Sequence, residues 1–240
     1  MHHRLPWLTE QHSLLNYYEC NGLYKNHKLT DFLKKKKKLK ILVIPSSASL
    51  FLSELEKTSH TLHYSDIDKT IIKHMKVGTA RKKNITFKLK DITKKNETKY
   101  DVIIIPRCAI HMFPAEKIDS IAKFCINSLK KPGIIACEHI EDKYFTNTRT
   151  QNISDAKNKT KTKYKIIKKN QHIIKLNKTT YRNRIIIEKS FYNLHSISFI
   201  NFRQELEKKT KLTTLYEWDV EQNRRGIIND TIKFTVLQSE

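Results

Sequence analysis

The chain has 240 residues, 38% of them hydrophobic, and a formal net charge of +23. That length suffices for one large α/β domain or a domain with a sizeable insertion, and the grouping of apolar residues into short runs argues against a disordered chain. No run reaches the roughly eighteen apolar residues of a membrane span, and the start MHHRLPWLTEQ lacks the apolar centre of a secretion signal, so a cytoplasmic location without membrane contact is expected.

The charge has two readings. One is an electrostatic footprint for nucleic acid or another anionic surface. The other is coding bias, since lysine far outnumbers arginine and Asn and Ile are abundant. Specific phosphate recognition favours the arginine fork, so nucleic acid is the lesser expectation. The four cysteines, Cys20, Cys108, Cys125 and Cys137, are scattered without metal-ligand spacing. They read as reduced thiols, and no metal is expected.

Residues 1–38 read as an N-terminal helical segment. Leu14, Leu15, Tyr17 and Tyr18 form one apolar stripe, and Leu29, Phe32 and Leu33 a second. The run Lys34–Lys38 reads as a solvated turn. Ile41–Ile44 is the apolar run of a buried parallel strand, ended by Pro45. Ser46, Ser47, Ala48 and Ser49 are small, and serine suits a helix N-cap. Leu50, Phe51, Leu52 and Leu55 follow at helical spacing, and Leu62–Tyr64 then forms a second strand ending on Asp66. A βαβ unit with an acid at the second strand tip binds nucleotide-like ligands at the carboxyl edge of the sheet. Asp66 also fits a helix N-cap.

Residues 69–77 read as a helix, Ile85–Leu89 as a strand followed by Asp91 and Ile92, and Tyr100–Ile105 as a central strand stopped by Pro106. Asp91 also fits a plain turn residue. Residues 114–130 read as an amphipathic helix with Ile118, Ile121, Phe124, Cys125 and Leu129 inward; Pro132-Gly133 makes a turn, and Ile134–Cys137 is the next strand. Residues 39–142 thus alternate as a mostly parallel α/β unit. Residues 143–194 differ. A polar, lysine-rich loop is expected at 146–163, then antiparallel strands with turns near Lys169-Asn170 and Asn177–Thr179. Residues 195–240 read as a helix near 201–209 and two strands, Leu212–Trp218 and Thr231–Leu237, which complete the sheet.

In this order the chain resembles the class I S-adenosylmethionine-dependent methyltransferases. HYSDIDKTIIKHM resembles the family's second motif, ITFKLKDI the third-strand motif, KYDVIIIPRCAIHMFP the fourth-strand motif, SLKKPGIIACEHI the helix, Pro-Gly turn and fifth strand, and NFRQELEKKTKLTTLYEWDV the late helix and sixth strand. The resemblance implies a Rossmann-like, seven-stranded, mostly parallel sheet with an inserted antiparallel layer serving as lid or dimer surface. It implies S-adenosylmethionine as cofactor. Asp66 would take the ribose hydroxyls, Ile67 and Ile92 would flank the adenine, and Asp91 would accept from its amino group. Pro45, Ser46, Ser47 and Ala48 would face the methionine part, with Pro106 beside the pocket. The family carries an acid and glycines along the first strand and turn; here Ile44, Pro45 and the serines stand in their place.

Arg107, His111 and Tyr18 are the catalytic candidates. Arg107 lies just past a buried strand and would hold an anionic acceptor group, since a charge there needs a partner. His111 is either a base or a packed, hydrogen-bonded histidine. Tyr18 sits on a segment that folds over the cofactor in many relatives, and it also fits a plain core. GxSxG, HExxH, Walker-type and NPPY-like motifs are absent. The function implied is methyl transfer to a small-molecule acceptor. The alternatives are a non-catalytic methyltransferase-like subunit that binds or activates a protein partner, and an RNA methyltransferase. A homodimer stays open.

Overall fold

A computed structural model describes residues 27–45, 54–69, 72–73, 76, 83–106, 109–140, 149–155, 160–168, 173–219 and 232–240. Its centre is a seven-stranded sheet. Strands β1 (Lys40–Val43), β2 (Thr61–Asp66), β3 (Ile85–Leu89), β4 (Tyr100–Ile105) and β5 (Leu129–Ile140) run parallel to one another. A C-terminal hairpin, β10 (Leu212–Asp219) and β11 (Ile232–Ser239), adds antiparallel to β5 and gives the order β10-β11-β5-β4-β1-β2-β3. Strand order reverses between β1 and β4, which sets a switch point at their carboxyl ends.

Alternation along the strands supplies two cores. Ile41, Val43, Val102, Ile104, Ala136, Phe234 and Val236 point to one face, where Leu55 and helix α1 (His27–Lys34) cover them. Leu29 and Leu33, one helical turn apart, are the buried apolar residues of α1. Leu42, Ile103, Ile105, Ile135 and Cys137 point to the other face, under α2 (Ala115–Ser128) and α3 (Ser198–Glu207). Helix α2 lies flat on the sheet because Ile118, Ile121, Ala122 and Cys125 fall at the i, i+3, i+4, i+7 spacing of one face. Because both faces of the central strands are covered, β1 and β4 carry nearly continuous apolar runs, Ile41–Val43 and Val102–Ile105.

The Pro132-Gly133 pair does not separate a turn from a strand, as expected from sequence. Strand β5 runs through it, and residues 130–133 bulge opposite Asp101 alone on β4. Proline has no N–H for the ladder. A Cβ on Gly133 would collide with the Lys130 carbonyl oxygen, so only glycine fits.

Residues 149–195 form a separate antiparallel sheet of four strands in the order β6-β7-β8-β9: β6 (Arg149–Asp155), β7 (Thr160–Lys168), β8 (Ile173–Arg182) and β9 (Ile185–His195). Two expectations are corrected here. The lysine-rich stretch taken as a loop contains β6 and the start of β7; KTKYK alternates, as a strand with one polar face does. The turn expected at Asn177–Thr179 lies inside β8, and the chain reverses at Asn183 and Arg184, with φ of 50° and 66°. Two consecutive positive φ values mark a two-residue hairpin turn whose twist suits antiparallel strands. No helix among the described residues is long and apolar enough to cross a membrane.

Candidate functional site

The candidate site lies at the carboxyl edge of β1 to β4, on both sides of the switch point. Topology brings Pro45, Asp66, Ile67, Asp91 and Pro106 there from four adjacent strand ends. Pro45 is half-buried, just past β1, whose next residue Ile44 donates its N–H to the Ile104 carbonyl at 3.0 Å. Asp66 ends β2 and is fully buried. Its Oδ1 accepts the Asp68 N–H at 2.9 Å, and its carbonyl accepts the Lys90 N–H at 2.7 Å. The chain leaving β2 is thereby turned and tied to β3. Beside it Ile67 is 47% exposed, an apolar side chain held open next to a buried carboxylate.

Past β3, Asp91 is half-buried, and its Oδ1 accepts from the Thr93 N–H at 2.8 Å and the Thr93 hydroxyl at 2.7 Å. Asp91 is therefore also the turn residue that its sequence context suggested. Ile92 turns into the core, in the cluster that holds Leu42, Ile44 and Ile105. Pro106 is buried at the end of β4. Tyr18, Ser46, Ser47, Ala48 and Arg107 lie outside the described residues.

His111 sits in a 3-10 turn, Ala109–Met112, after β4. Its Nδ1 donates to the His195 carbonyl at 2.7 Å, and its Nε2 accepts the Ile140 N–H at 2.9 Å. One ring thus ties the β4 exit to the ends of β5 and β9. Burial pushes its pKa down to about 3, so the ring is neutral, as an imidazole that both donates and accepts must be. Ser198 reinforces this junction, its hydroxyl donating to the Phe113 carbonyl at 2.9 Å.

Sequence reading missed a second polar string. Near the end of β5, the His139 ring stacks on Phe199 at 3.6 Å between centroids, and its Nε2 lies 2.9 Å from the Thr235 hydroxyl oxygen. That hydroxyl donates to Glu217 Oε2 at 3.2 Å, and Lys233 donates to Glu217 Oε1 at 3.1 Å. Since Thr235 gives its one proton to the carboxylate, it accepts from His139 Nε2–H. Burial raises the Glu217 carboxyl, but the hydrogen bond and charge of Lys233, with Thr235, outweigh it and hold the group below its ordinary range. Ninety-six positions separate His139 from Thr235, so no local signal points to the pair.

Cys125 and Cys137 are buried and in no disulfide, and burial pushes both thiols up. Cys20 and Cys108 lie outside the described residues. Among the described residues no three His, Cys, Asp or Glu side chains converge as a metal site would require.

No family model and no curated protein matches the chain in sequence. Solved structures do match it in shape. An S-adenosylmethionine-dependent methyltransferase from Clostridium acetobutylicum superposes with a TM-score of 0.74 at 10% identity, over 97% of this chain and 99% of that one. The CcbJ methyltransferase from Streptomyces caelestis gives 0.69 at 10% identity, over 88% and 87%. CalS10, an amino pentose methyltransferase from Micromonospora echinaspora solved with S-adenosylmethionine bound, gives 0.62 at 7% identity, over 89% of each chain. The matches cover between 88% and 97% of this chain: the chain has the Rossmann-like fold of the class I S-adenosylmethionine-dependent methyltransferases.

Proposed function

We propose that this protein is an S-adenosylmethionine-dependent methyltransferase acting on a small molecule. The observation that carries the reading is the buried Asp66 carboxylate at the tip of β2, with the exposed Ile67 beside it and Asp91 just past β3, all at the carboxyl edge next to the switch point. A carboxylate has about four lone-pair sites, so Asp66 can keep the Asp68 N–H and still accept ribose hydroxyls. Ile67 offers apolar surface to the adenine and Asp91 an acceptor to its amino group, with Ile92 packed behind them. Pro45 and Ser46–Ala48 would meet the methionine part, and Pro106 would border the pocket. When bound, the cofactor supplies a methyl group already activated on a sulfonium. What remains for the chain is to orient the acceptor and exclude water.

In this reading Arg107 holds an anionic group of the acceptor, and Tyr18 closes over the site from the N-terminal segment. His111 acts through position: it fixes the β4 exit against β5 and β9, whose sheet we assign as the lid over the acceptor. Residues 143–194 are then a lid unit inserted into a core made of 39–142 and 195–240. CalS10 acts on an amino pentose, which supports a small-molecule acceptor of that size.

The second reading, a non-catalytic subunit that binds a protein partner, is favoured by one observation. Pro45 and three serines stand where backbone would closely approach the cofactor. Calorimetry with S-adenosylhomocysteine separates the two. A measurable heat that Asp66→Ala diminishes supports the enzyme, and no heat at all from the folded chain supports the subunit.

A further inference from the structure

The positive charge is not spread evenly. Residues 143–194 hold fourteen lysines and arginines against two acids, Asp155 and Glu188, a net of +12 out of the chain's +23. Around the core sheet, several described cations sit on carboxylates: Lys123 and Lys209 on Asp119, Lys130 on Asp101, Lys233 on Glu217. Others, such as the exposed Lys35, Lys37 and Lys38 before β1, have no carboxylate partner among the described residues and follow one another in a turn. On β7 the lysines are set in a row instead. Lys161, Lys163 and Lys165 alternate along one face and are all exposed. Among the described residues, none of the three has a carboxylate partner. Coding bias would scatter lysines, but it would not strip the acids from one face.

Register completes the surface. Tyr181 lies opposite Lys161, Thr179 opposite Lys163, Asn177 opposite Lys165 and Lys175 opposite Ile167. The face therefore repeats an ammonium group beside a ring, a hydroxyl and an amide. Successive lysines stand about 6.6 Å apart, two residues along a strand, a spacing like that of successive phosphates in an extended nucleic-acid strand.

We propose that the face of β7 and β8 bearing Lys161, Lys163 and Lys165 binds the phosphate backbone of single-stranded RNA. The three ammonium groups face consecutive phosphates, the Tyr181 ring offers a base a stacking surface, and Thr179 and Asn177 reach the ribose hydroxyls that distinguish RNA from DNA. The proposal is independent of methyl transfer.

An anionic bilayer is the competing occupant, because Ile185, Ile186 and Ile187 are exposed at the hairpin tip beside Arg182 and Arg184. The geometry disfavours it. With the tip in a bilayer, Lys165 stands about 13 Å behind Lys161 along the strand, beyond the screening length of about 8 Å. With the lysine face laid flat, Ile185 points away, since it pairs with Arg182 on the opposite face, which leaves Ile186, opposite Tyr181, as an apolar anchor at one end of the lysine row. A linear polyanion along β7 engages all three lysines at once.

The test is fluorescence anisotropy of the full chain with a labelled oligoribonucleotide of about sixteen nucleotides, over a series of salt concentrations. The triple variant Lys161→Gln, Lys163→Gln, Lys165→Gln is expected to bind about tenfold or more weakly and to lose about 2 from the slope of log affinity against log salt, roughly 0.7 per phosphate. The control triple Lys35→Gln, Lys37→Gln, Lys38→Gln removes the same charge from the turn before β1, and should stay within about twofold of the parent. Should the first triple fail to fold by circular dichroism, Lys163→Gln alone is expected to remove about 0.7 of slope. Equal losses in both triples, no RNA binding, equal affinity for the deoxy oligonucleotide, or binding only to phosphatidylglycerol vesicles would each overturn the proposal.

Discussion

In the middle of the seven-stranded sheet both faces are buried, and several lysines around it sit on acids. In the four-stranded sheet one face carries to solvent a row of lysines with no carboxylate partner among the described residues. The core sheet derives stability from area: Leu42, Val43, Ile103 and Ile104 are fully buried, each contributing about 1.5–3 kcal/mol. The appended sheet gains little from its outer face and instead concentrates charge. Such a division suits a molecule whose core holds a site at a sheet edge while an added layer determines what approaches.

The largest expected effect tests the contrast directly. Ile104→Ala, in the central β4, should destabilise by about 2–5 kcal/mol in urea unfolding. Ile186→Ala, exposed on β9, should stay within about 0.5 kcal/mol. Similar losses at the two positions would show that the hairpin tip is buried by a partner or second copy in solution. Next in size is the core sheet's edge. Asp66→Ala should weaken S-adenosylhomocysteine by about 1–3 kcal/mol in calorimetry, while Lys163→Gln leaves that affinity unchanged. Equal affinity in a folded Asp66 variant would reduce Asp66 to a turn residue.

The junction between the sheets should respond to pH. Burial holds His111 down to about 3, and burial with the charges of Lys88, Lys40 and Lys90 holds His63 down to about 4. His63 Nδ1 lies 3.1 Å from the Tyr100 hydroxyl. Unfolded imidazoles take up protons near 6.5, and the folded ones do so only well below that. Stability from these two residues is thus fully present above about pH 6.5 and falls as pH drops toward 4 and then 3. His111→Gln should remove about 1.4 kcal/mol per pH unit from the slope in that window, read as the urea midpoint against pH. An unchanged slope would mean that His111 is not buried neutral between the sheets.

The smallest effect belongs to the paired surface. Hydrogen bonds from Lys123 and Lys209 hold Asp119 down to about 2. The pair is open to water, so Lys123→Ala should shift the unfolding midpoint only slightly, and not at all at molar salt.

Much of the core was legible because its signals are local. Ile41–Ile44 and Tyr100–Ile105 are apolar runs bounded by proline, and Ile118, Ile121 and Cys125 repeat at helical spacing. Asp66 and Asp91 stood out as acids at strand tips, and the structure places both at the carboxyl edge. The appended sheet was harder to read. KTKYK looked like a loop because half of a one-sided strand is polar, and the reversal at Asn183-Arg184 lacks the glycine that announces most such turns. His111 could be named from sequence, but its partners could not, since His195 lies eighty-four positions away.

By itself the sequence determined the alternation of elements, the apolar stripes, the acids at the strand tips and the excess of lysine. Each is written in neighbouring residues, because backbone geometry repeats every two or 3.6 positions. The tertiary structure alone decided the rest. Strand order brought four strand ends into one edge. Register set Lys161, Lys163 and Lys165 against Tyr181, Thr179 and Asn177 and joined His139 to Thr235 and Glu217. The physical reason is that hydrogen bonding and charge act over a few ångströms in space, whatever the distance along the chain.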